Sequence, residues 1–365
     1  MNEIISLVRP EIYAMKPYSS ARTEGKAEAR IYLDANENPY PPFPGTDDLI
    51  GSNRYPEPQP GYLLDRFSEL YDAPREQLFL SRGADEAIDL LVRAFCRAGE
   101  DAILITPPTF VMYETSAQIQ GLVVHRVPLI ESETFGLDVK GMLARQSENP
   151  TTKLVFVCSP NNPTGNLMGR QDIIQLAETL LGKALVIVDE LYLDYSGQPS
   201  LSEEIENHPN LVVLRSVSKE YSLAGERMGI TIAHPEVISI LRRIMAPYSL
   251  SVSAIRTVSA AISPEGIQYG RANIARLLSE RERVRSVLAA SPTVANIFPS
   301  DANFLLIQTR DAKEVTKIME NNGIKIRDRS GVVKDAVRIS IGKPEENDEF
   351  LKVFTEYERR VAAYS

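Results

Sequence analysis

The sequence predicts an α/β protein with a mainly parallel central sheet flanked by helices, plus a second, smaller α+β domain. In the middle of the chain, short apolar strands alternate with amphipathic helices, which is typical of crossover units. The final segments follow a different order of strands and helices, and an early cluster of prolines disfavours regular structure. We therefore expect an N-terminal arm over residues 1–60, a large domain over 61–265 and a small domain over 266–365.

The central alternation can be followed segment by segment. Helical spacing of Ala87, Ile88, Leu91 and Phe95 predicts a helix after the first strand, and FVMYETSAQIQ predicts one after the second. The predicted strands are QLFLS, AILIT, LVVHRVPL, KLVFVCS, KALVIVDE, LVVLRSVS and MGITIA. Ligands of such sheets bind at the carboxyl ends of the strands, so the residues that follow each strand are the candidates for a site.

The small domain is predicted from a shorter set of segments. Its strands are NFLLIQT, IKIRD and AVRISIG, with a helix through AKEVTKIMENNG. A final helix is expected because apolar residues recur on one face. These residues are Phe350, Leu351, Phe354, Tyr357 and Val361.

Composition and charge restrict the function classes. A formal net charge of -9 argues against nucleic-acid binding, which depends on clustered Lys and Arg. We find neither a signal-peptide pattern nor an apolar run of about 18 residues, so we expect a cytoplasmic protein with no membrane partner. Cys96 and Cys158 lie in apolar runs and should be buried thiols, and the scattered histidines do not suggest a metal site. A small-molecule ligand is the favoured partner.

Reactive or polar residues follow several predicted strands. Ser216, Ser218 and Lys219 follow LVVLR, Asp189 ends ALVIVD, and Asn162 lies in the turn SPNNPTG. The segment SRGADE begins a helix, where free backbone N–H groups and the helix dipole favour a phosphate. Each feature alone also has an ordinary explanation: a surface lysine, a Mg²⁺ ligand or surface carboxylate, a simple turn, and acidic residues of a first helical turn.

Together these groups match one cofactor. The sequence contains no GxxxxGK[ST], GxGxxG or GxSxG motif, so ATP, dinucleotide and serine-hydrolase interpretations lose their usual support. A lysine amine, a carboxylate, an amide and a phosphate site remain. Pyridoxal 5'-phosphate (PLP) needs an amine for its aldehyde, an acid for its ring nitrogen, donors for its ring oxygen, and dipoles with a cation for its phosphate.

The ordered motifs resemble those of the fold-type I PLP-dependent aminotransferases, and among them the histidinol-phosphate aminotransferase family. The motifs cover essentially the whole chain: PYSSAR, LDANENP, NRYPEPQP, SRGADE, PPTFVMY, CSPNNPTG, VDELYLDY, SVSKEYSLAGERMG, GIKIRDR and AVRISIG. The resemblance implies the fold-type I architecture and reversible amino transfer between L-histidinol phosphate and 2-oxoglutarate. The products would be imidazole acetol phosphate and L-glutamate, in histidine biosynthesis.

The resemblance also assigns the residues around the cofactor ring. Lys219 would hold PLP as a Schiff base and later move the proton, while Asp189 would pair with the protonated ring nitrogen. Tyr192 and Asn162 would hydrogen-bond the ring's phenolic oxygen, and Asn162 would also line the substrate site. Phe110 stands where the family usually has a tyrosine stacked on the ring, and stacking needs only the aromatic face.

The cofactor phosphate is assigned in the same way. The resemblance implies that Ser216, Ser218 and Arg227 bind it together with the backbone at Ala84 and Asp85. A charge-assisted contact from the guanidinium would add to the helix dipole.

Further residues of the resemblance concern the partner subunit and the substrates. Tyr55 would reach the phosphate of the neighbouring subunit's cofactor, which implies a homodimer. Arg338 would bind the α-carboxylate of glutamate and, in the other half-reaction, the phosphate of histidinol phosphate. Arg327 would assist with that phosphate, and Tyr18 and Glu37 would line the imidazole end.

Two alternatives stay open at this point. Aromatic aminotransferases and threonine-phosphate decarboxylase share the scaffold and most of these residues, although PYSSAR and DANENP favour histidinol phosphate. A non-catalytic regulator on an aminotransferase body is disfavoured, because the predicted catalytic architecture uses the whole chain.

Overall fold

A computed structural model describes residues 3–16, 31, 33–40 and 51–363 of the chain. The predicted substrate residue Tyr18 lies outside the described residues. Within the described ranges, no helix is both long and apolar enough to cross a membrane.

The large sheet has seven strands in the order β1-β7-β6-β5-β4-β2-β3. The strands are β1 (Leu78–Ser81), β2 (Ala102–Ile105), β3 (Val123–Arg126), β4 (Thr152–Cys158), β5 (Leu185–Asp189), β6 (Leu211–Ser216) and β7 (Gly229–Ala233). Strands β3, β2, β4, β5 and β6 pair in parallel, while β7 runs antiparallel to both β6 and β1. The prediction of a mainly parallel sheet is therefore confirmed, with one reversed strand.

Helices alternate with these strands along the chain and cover the sheet. They are α1 (Pro10–Tyr13), α2 (Gly61–Tyr71), α3 (Gly83–Phe95), α4 (Met112–Ile119), α5 (Val139–Glu148), α6 (Arg170–Leu180), α7 (Val217–Glu220), α8 (Pro235–Ile244) and α9 (Val252–Ala261). The predicted strand LVVLRSVS ends at Ser216, and the chain forms the short helix α7 directly after it. Its first turn is capped by Ser216, whose Oγ accepts a hydrogen bond from the Ser218 N–H.

The sheet is buried on both faces. Along β5, Val186 and Val188 pack in one apolar cluster and Leu185 and Ile187 pack in another on the opposite face. Side chains of a strand point alternately to the two faces, so a continuous apolar run is what a sheet covered on both sides requires. Cys96 and Cys158 are buried free thiols, as predicted.

The smaller unit contains a four-stranded antiparallel sheet with the order β10-β11-β9-β8. Its elements are α10 (Pro264–Ala289), β8 (Val294–Ile297), β9 (Phe304–Thr309), α11 (Ala312–Asn321), β10 (Arg327–Asp328), β11 (Ala336–Ser340) and α12 (Pro344–Ala363). The predicted α+β character is confirmed, although the expected strand IKIRD is reduced to two residues and β8 was not predicted. The predicted boundaries of the three domains stay a prediction.

Candidate active site

One edge of the large sheet gathers the predicted site residues. Asp189 ends β5 and Ser216 ends β6, so both lie at the carboxyl edge of the parallel strands. Strand β7 runs in the opposite direction and begins at Gly229, which brings Arg227 to the same edge. Because β7 is reversed, the residues just before it lie at this edge, and they supply a cation that the ends of the parallel strands do not.

A cavity of about 560 Å³ opens at this edge. Ten of the predicted site residues line it: Ala84, Asp85, Phe110, Asn162, Asp189, Tyr192, Ser216, Ser218, Lys219 and Arg227. Residues from six separate segments of the sequence therefore share one cavity, as expected for a site at the ends of several strands.

Asp189 is a buried carboxylate in the floor of the cavity. Its side chain accepts hydrogen bonds from the Tyr113 hydroxyl at 2.5 Å and the Leu191 N–H at 3.2 Å. Burial raises the pKa of the Asp189 carboxyl to about 6, although the Tyr113 hydrogen bond opposes the rise. A cationic partner in the cavity would relieve the cost of burying this charge.

Lys219 lies in α7 on the other side of the cavity. Its Nζ is 5.8 Å from the centroid of the Tyr192 ring. Burial lowers the pKa of this amine, and the positive charges of Arg338 and Arg227 lower it further. The backbone is held as well, because the Tyr195 hydroxyl donates a hydrogen bond of 2.8 Å to the Lys219 carbonyl oxygen.

An anion site lies at the N-terminus of α3. The guanidinium of Arg227 sits over Gly83, where a Cβ would come within 2.6 Å of Nη2, and Gly83 has a φ of +74°. A Cβ at Gly229 would lie 2.5 Å from the backbone nitrogen of Ala84, so only glycine allows β7 to approach the helix this closely. Arg227 pairs with Asp85 at 3.1 Å.

Arg227 and two serines complete this anion site. Arg227 itself has a φ of 54°, in the left-handed region that is uncommon for residues other than glycine and that clusters at functional sites. The Oγ atoms of Ser216 and Ser218 lie 2.8 Å apart, and Ser216 donates to the Met228 carbonyl oxygen. Hydroxyls, free helix N–H groups and a guanidinium together suit a phosphate.

Residues of the small sheet contact two residues that line the cavity, Tyr192 and Asn162. The Tyr192 ring meets Phe304 of β9 edge to face, with centroids 5.3 Å apart. Arg338 of β11 stacks on the same Phe304, with its guanidinium 5.2 Å from the ring centroid, and donates a short hydrogen bond to Oδ1 of Asn162. Burial raises the pKa of the Tyr192 hydroxyl. Arg338 therefore connects the two sheets at the cavity.

Four of the predicted residues that the structure describes are not among those that line the cavity: Arg338 contacts the lining residue Asn162, and three others lie apart. Glu37 accepts hydrogen bonds of 2.7 Å from Arg54 Nη1 and the Tyr55 N–H, and its side chain is 3% exposed. Tyr55 is half exposed and stacks on Tyr248 with ring centroids 4.3 Å apart. Arg327 is exposed and lies directly opposite Arg338 on the neighbouring strand. The predicted roles of these residues stay predictions.

A buried charge cluster surrounds Arg215 of β6, next to α7. Arg215 lies 3.5 Å from Glu190 and 3.3 Å from Glu220 and forms a short ion pair with Asp194. Glu220 also accepts a hydrogen bond of 3.1 Å from the Tyr71 hydroxyl. Burial raises the pKa of Glu220 well above its usual range, and its hydrogen bond with Asp194 raises it further. Burial and the neighbouring Asp194 thus favour the uncharged form of Glu220 within this cluster.

Two residues beside the predicted site residues were not predicted from the sequence. Tyr113 is fully buried and stacks on Phe156, with centroids 4.8 Å apart, while its hydroxyl holds Asp189. It lies in the segment PPTFVMY, where only Phe110 was singled out. Arg329 is the second omission; its position two residues after Arg327 was the signal, because alternate residues of a strand share a face.

The arrangement fits the cofactor that the sequence predicts. Asp189 is a buried carboxylate that needs a cation, Lys219 is an amine with a lowered pKa, and the α3 N-terminus with Arg227 forms the anion site. Phe110 lines the cavity, where its ring could stack on the cofactor, and it meets Tyr113 in a T-shaped contact with ring centroids 5.6 Å apart. These groups would hold the ring nitrogen, the aldehyde, the phosphate and the ring face of PLP.

The chain is similar to known proteins over nearly all of its length. The model of the family described as aminotransferase class I and II matches residues 31–354. A histidinol-phosphate aminotransferase of Pectobacterium atrosepticum is 41% identical, covering 94% of each chain, and that of Stenotrophomonas maltophilia is 39% identical, covering 100% of this chain and 99% of the relative. The structure of a histidinol-phosphate aminotransferase from Sinorhizobium meliloti in complex with pyridoxal-5'-phosphate matches the fold with a TM-score of 0.78 at 22% identity, covering 90% of each chain.

Proposed function

Because this chain belongs to the class I and II aminotransferases, a family of PLP-dependent enzymes, we propose that it transfers an amino group reversibly between L-histidinol phosphate and 2-oxoglutarate. The products are imidazole acetol phosphate and L-glutamate, in histidine biosynthesis. The observation that carries the proposal is the convergence of Lys219, Asp189 and Arg227 on one cavity beside Arg338. Relatives that cover nearly the whole chain and carry the name histidinol-phosphate aminotransferase support the choice of substrate.

When bound, PLP supplies an electrophilic carbon that captures amines and a ring that accepts the electrons released at the substrate's Cα. The Lys219 amine is the proton carrier of the site. Burial, Arg338 and Arg227 lower its pKa, which increases the fraction of neutral amine that can accept a proton at neutral pH. Its backbone is held by Tyr195, so the amine moves only through its own side-chain torsions.

Asp189 keeps negative charge at the floor of the cavity, where it favours a protonated ring nitrogen. The Tyr113 hydroxyl holds one carboxylate oxygen and the Leu191 N–H holds the other, which fixes the orientation of the carboxylate. Tyr192 and Asn162 also line the cavity and would donate to the ring oxygen of bound PLP. Since burial raises the pKa of Tyr192, its hydroxyl stays protonated and acts as a donor.

Arg338 binds the anionic group of each substrate in turn. Its planar guanidinium can donate two parallel hydrogen bonds to a carboxylate or to a phosphate. Stacking on Phe304 and the hydrogen bond to Asn162 hold the guanidinium near the cavity. A single cation that serves both anions suits a reaction whose two half-reactions use the same cavity.

We propose further that the enzyme is a cytoplasmic homodimer in which Tyr55 reaches the partner's active site. The half-exposed ring of Tyr55 and its place outside its own cavity support this arrangement. The division into an arm over 1–60, a large domain over 61–265 and a small domain over 266–365 belongs to the same proposal.

A parallel substrate assay tests the proposed function. The purified, PLP-loaded enzyme is given L-histidinol phosphate, L-phenylalanine or L-threonine phosphate, each with 2-oxoglutarate, and glutamate formation is measured. We expect kcat/KM to be highest with L-histidinol phosphate. Higher values with phenylalanine would identify an aromatic aminotransferase. Carbon dioxide release from threonine phosphate without glutamate formation would identify a decarboxylase.

A further inference from the structure

Three arginines share one face of the small sheet beside the cavity. Arg327 of β10 is directly opposite Arg338 of β11. The Arg329 N–H donates a hydrogen bond of 2.8 Å to the carbonyl oxygen of Ala336, so Arg329 continues the same antiparallel pairing opposite Ala336. Side chains alternate along a strand, and directly opposed residues point the same way, so all three guanidinium groups lie on one face.

This face carries three positive charges, and among the described residues the Asp328 carboxylate offsets that of Arg329 only in part. Like charges directly opposite each other on paired strands are destabilising. None of the three arginines forms an ion pair with a described residue, and Asp328, which points to the other face, is engaged with the Ser330 N–H at 2.8 Å. Such an arrangement is explained if an anion occupies the face.

Two donors of this arginine group are buried and unsatisfied. The Nε atoms of Arg329 and Arg338 have no hydrogen-bond partner among the described residues, although both atoms are removed from solvent. Burial lowers the pKa of Arg329, and so do the charges of Arg338 and Arg327, while Asp328 and Tyr192 oppose the fall. Buried N–H donors without a partner are unfavourable unless a ligand accepts from them.

We propose that Arg329 is a specificity-determining residue that binds the phosphate dianion of the amino donor together with Arg338 and Arg327. This proposal rests on the proposed function and extends its substrate site by a third cation. A phosphate monoester carries roughly -1.5 to -2 charges on three acceptor oxygens at neutral pH. A carboxylate has one charge and two oxygens, which a single bidentate guanidinium satisfies. The third arginine therefore distinguishes a phosphate from a carboxylate.

The first test measures anion binding without turnover. Inorganic phosphate is titrated calorimetrically into the PLP-loaded wild type, Arg329→Gln and Arg310→Gln. Arg310 is an exposed arginine that follows β9, so its variant removes the same charge from the same unit. We expect about tenfold weaker phosphate binding in Arg329→Gln, as for loss of one charge-assisted hydrogen bond, and no change in Arg310→Gln. Equal binding by Arg329→Gln and the wild type, or equal losses in both variants, would overturn the proposal.

The second test separates specificity from a structural effect. In Arg329→Gln, KM should rise about tenfold for L-histidinol phosphate and less than about threefold for L-glutamate, with Arg329→Lys intermediate. The melting temperature should not fall, because the substitution removes a repelled charge. An equal rise of KM for both donors would refute the specificity role. If the wild type fails to use L-histidinol phosphate, the proposed function is wrong, while the phosphate titration still decides the role of Arg329.

Discussion

Replacing Asp189 with asparagine should stabilise the cofactor-free protein while impairing the loaded enzyme. Asp189 is 3% exposed, and burial raises its pKa from 3.8 to about 6. The folded state therefore binds the proton more tightly than the unfolded state. The stability that this proton provides is fully present below pH 3.8, declines as the pH rises toward 6, and is lost above it. Asparagine is neutral at every pH and does not incur this loss.

The size of the effect follows from the two pKa values. The difference between 3.8 and about 6, at about 1.36 kcal/mol for each pH unit, amounts to about 3 kcal/mol in the free energy of unfolding. About half of this change should develop between pH 5 and pH 8. The Tyr113 hydroxyl can still donate to the asparagine carbonyl oxygen, whereas the longer bond from the Leu191 N–H is lost, at a cost of about 1 kcal/mol that does not depend on pH.

The assay is denaturant unfolding of the PLP-free wild type and Asp189→Asn proteins at several pH values. The difference in unfolding free energy should grow in favour of the variant as the pH rises. Asp72→Asn is the control, because Asp72 is exposed and its left-handed backbone also accommodates asparagine. A difference between wild type and Asp189→Asn that stays constant from pH 5 to pH 8 would refute the reasoning. The loaded variant should bind PLP more weakly, since the ring nitrogen loses its anionic partner.

Four further substitutions test the site and its support. Lys219→Ala should lower kcat by roughly 10²–10⁴-fold, as for loss of a general base, and abolish the visible absorbance of the lysine-bound cofactor; an active, yellow variant would contradict the assignment. Arg338→Lys should lower kcat/KM roughly tenfold for both L-histidinol phosphate and L-glutamate, because lysine lacks the bidentate geometry; an unchanged value for either donor would argue against a shared anion site. Arg215→Met should destabilise the protein by about 3–5 kcal/mol, because it leaves buried carboxylates uncompensated. Glu220→Gln should lower the stability less than Arg215→Met, because burial raises the pKa of that carboxyl and the amide resembles its uncharged form; equal losses in calorimetric melting would contradict this difference.

Local patterns predicted most of the large sheet. Apolar runs bounded by turns marked its strands, because a sheet covered on both faces requires them, and their polar ends marked the cavity. Sequence patterns predicted less where a strand or helix depends on contacts with other segments of the chain. Strand β10 keeps only Arg327–Asp328 of the expected IKIRD, and β8 alternates too weakly to be recognised. Residues 217–220 turn into a helix because Ser216 caps it, a contact that an apolar pattern does not report.

The sequence by itself determined the fold class, the family resemblance and the chemical groups of the site, because strand periodicity and ordered motifs are local properties of the chain. Only the tertiary structure decided which groups act together. Tyr113 reaches Asp189 across 76 positions of sequence, and Arg338 reaches Asn162 across 176. The register of β10 and β11 placed Arg329 beside Arg338, and register depends on pairing and burial over the whole sheet rather than on any one segment.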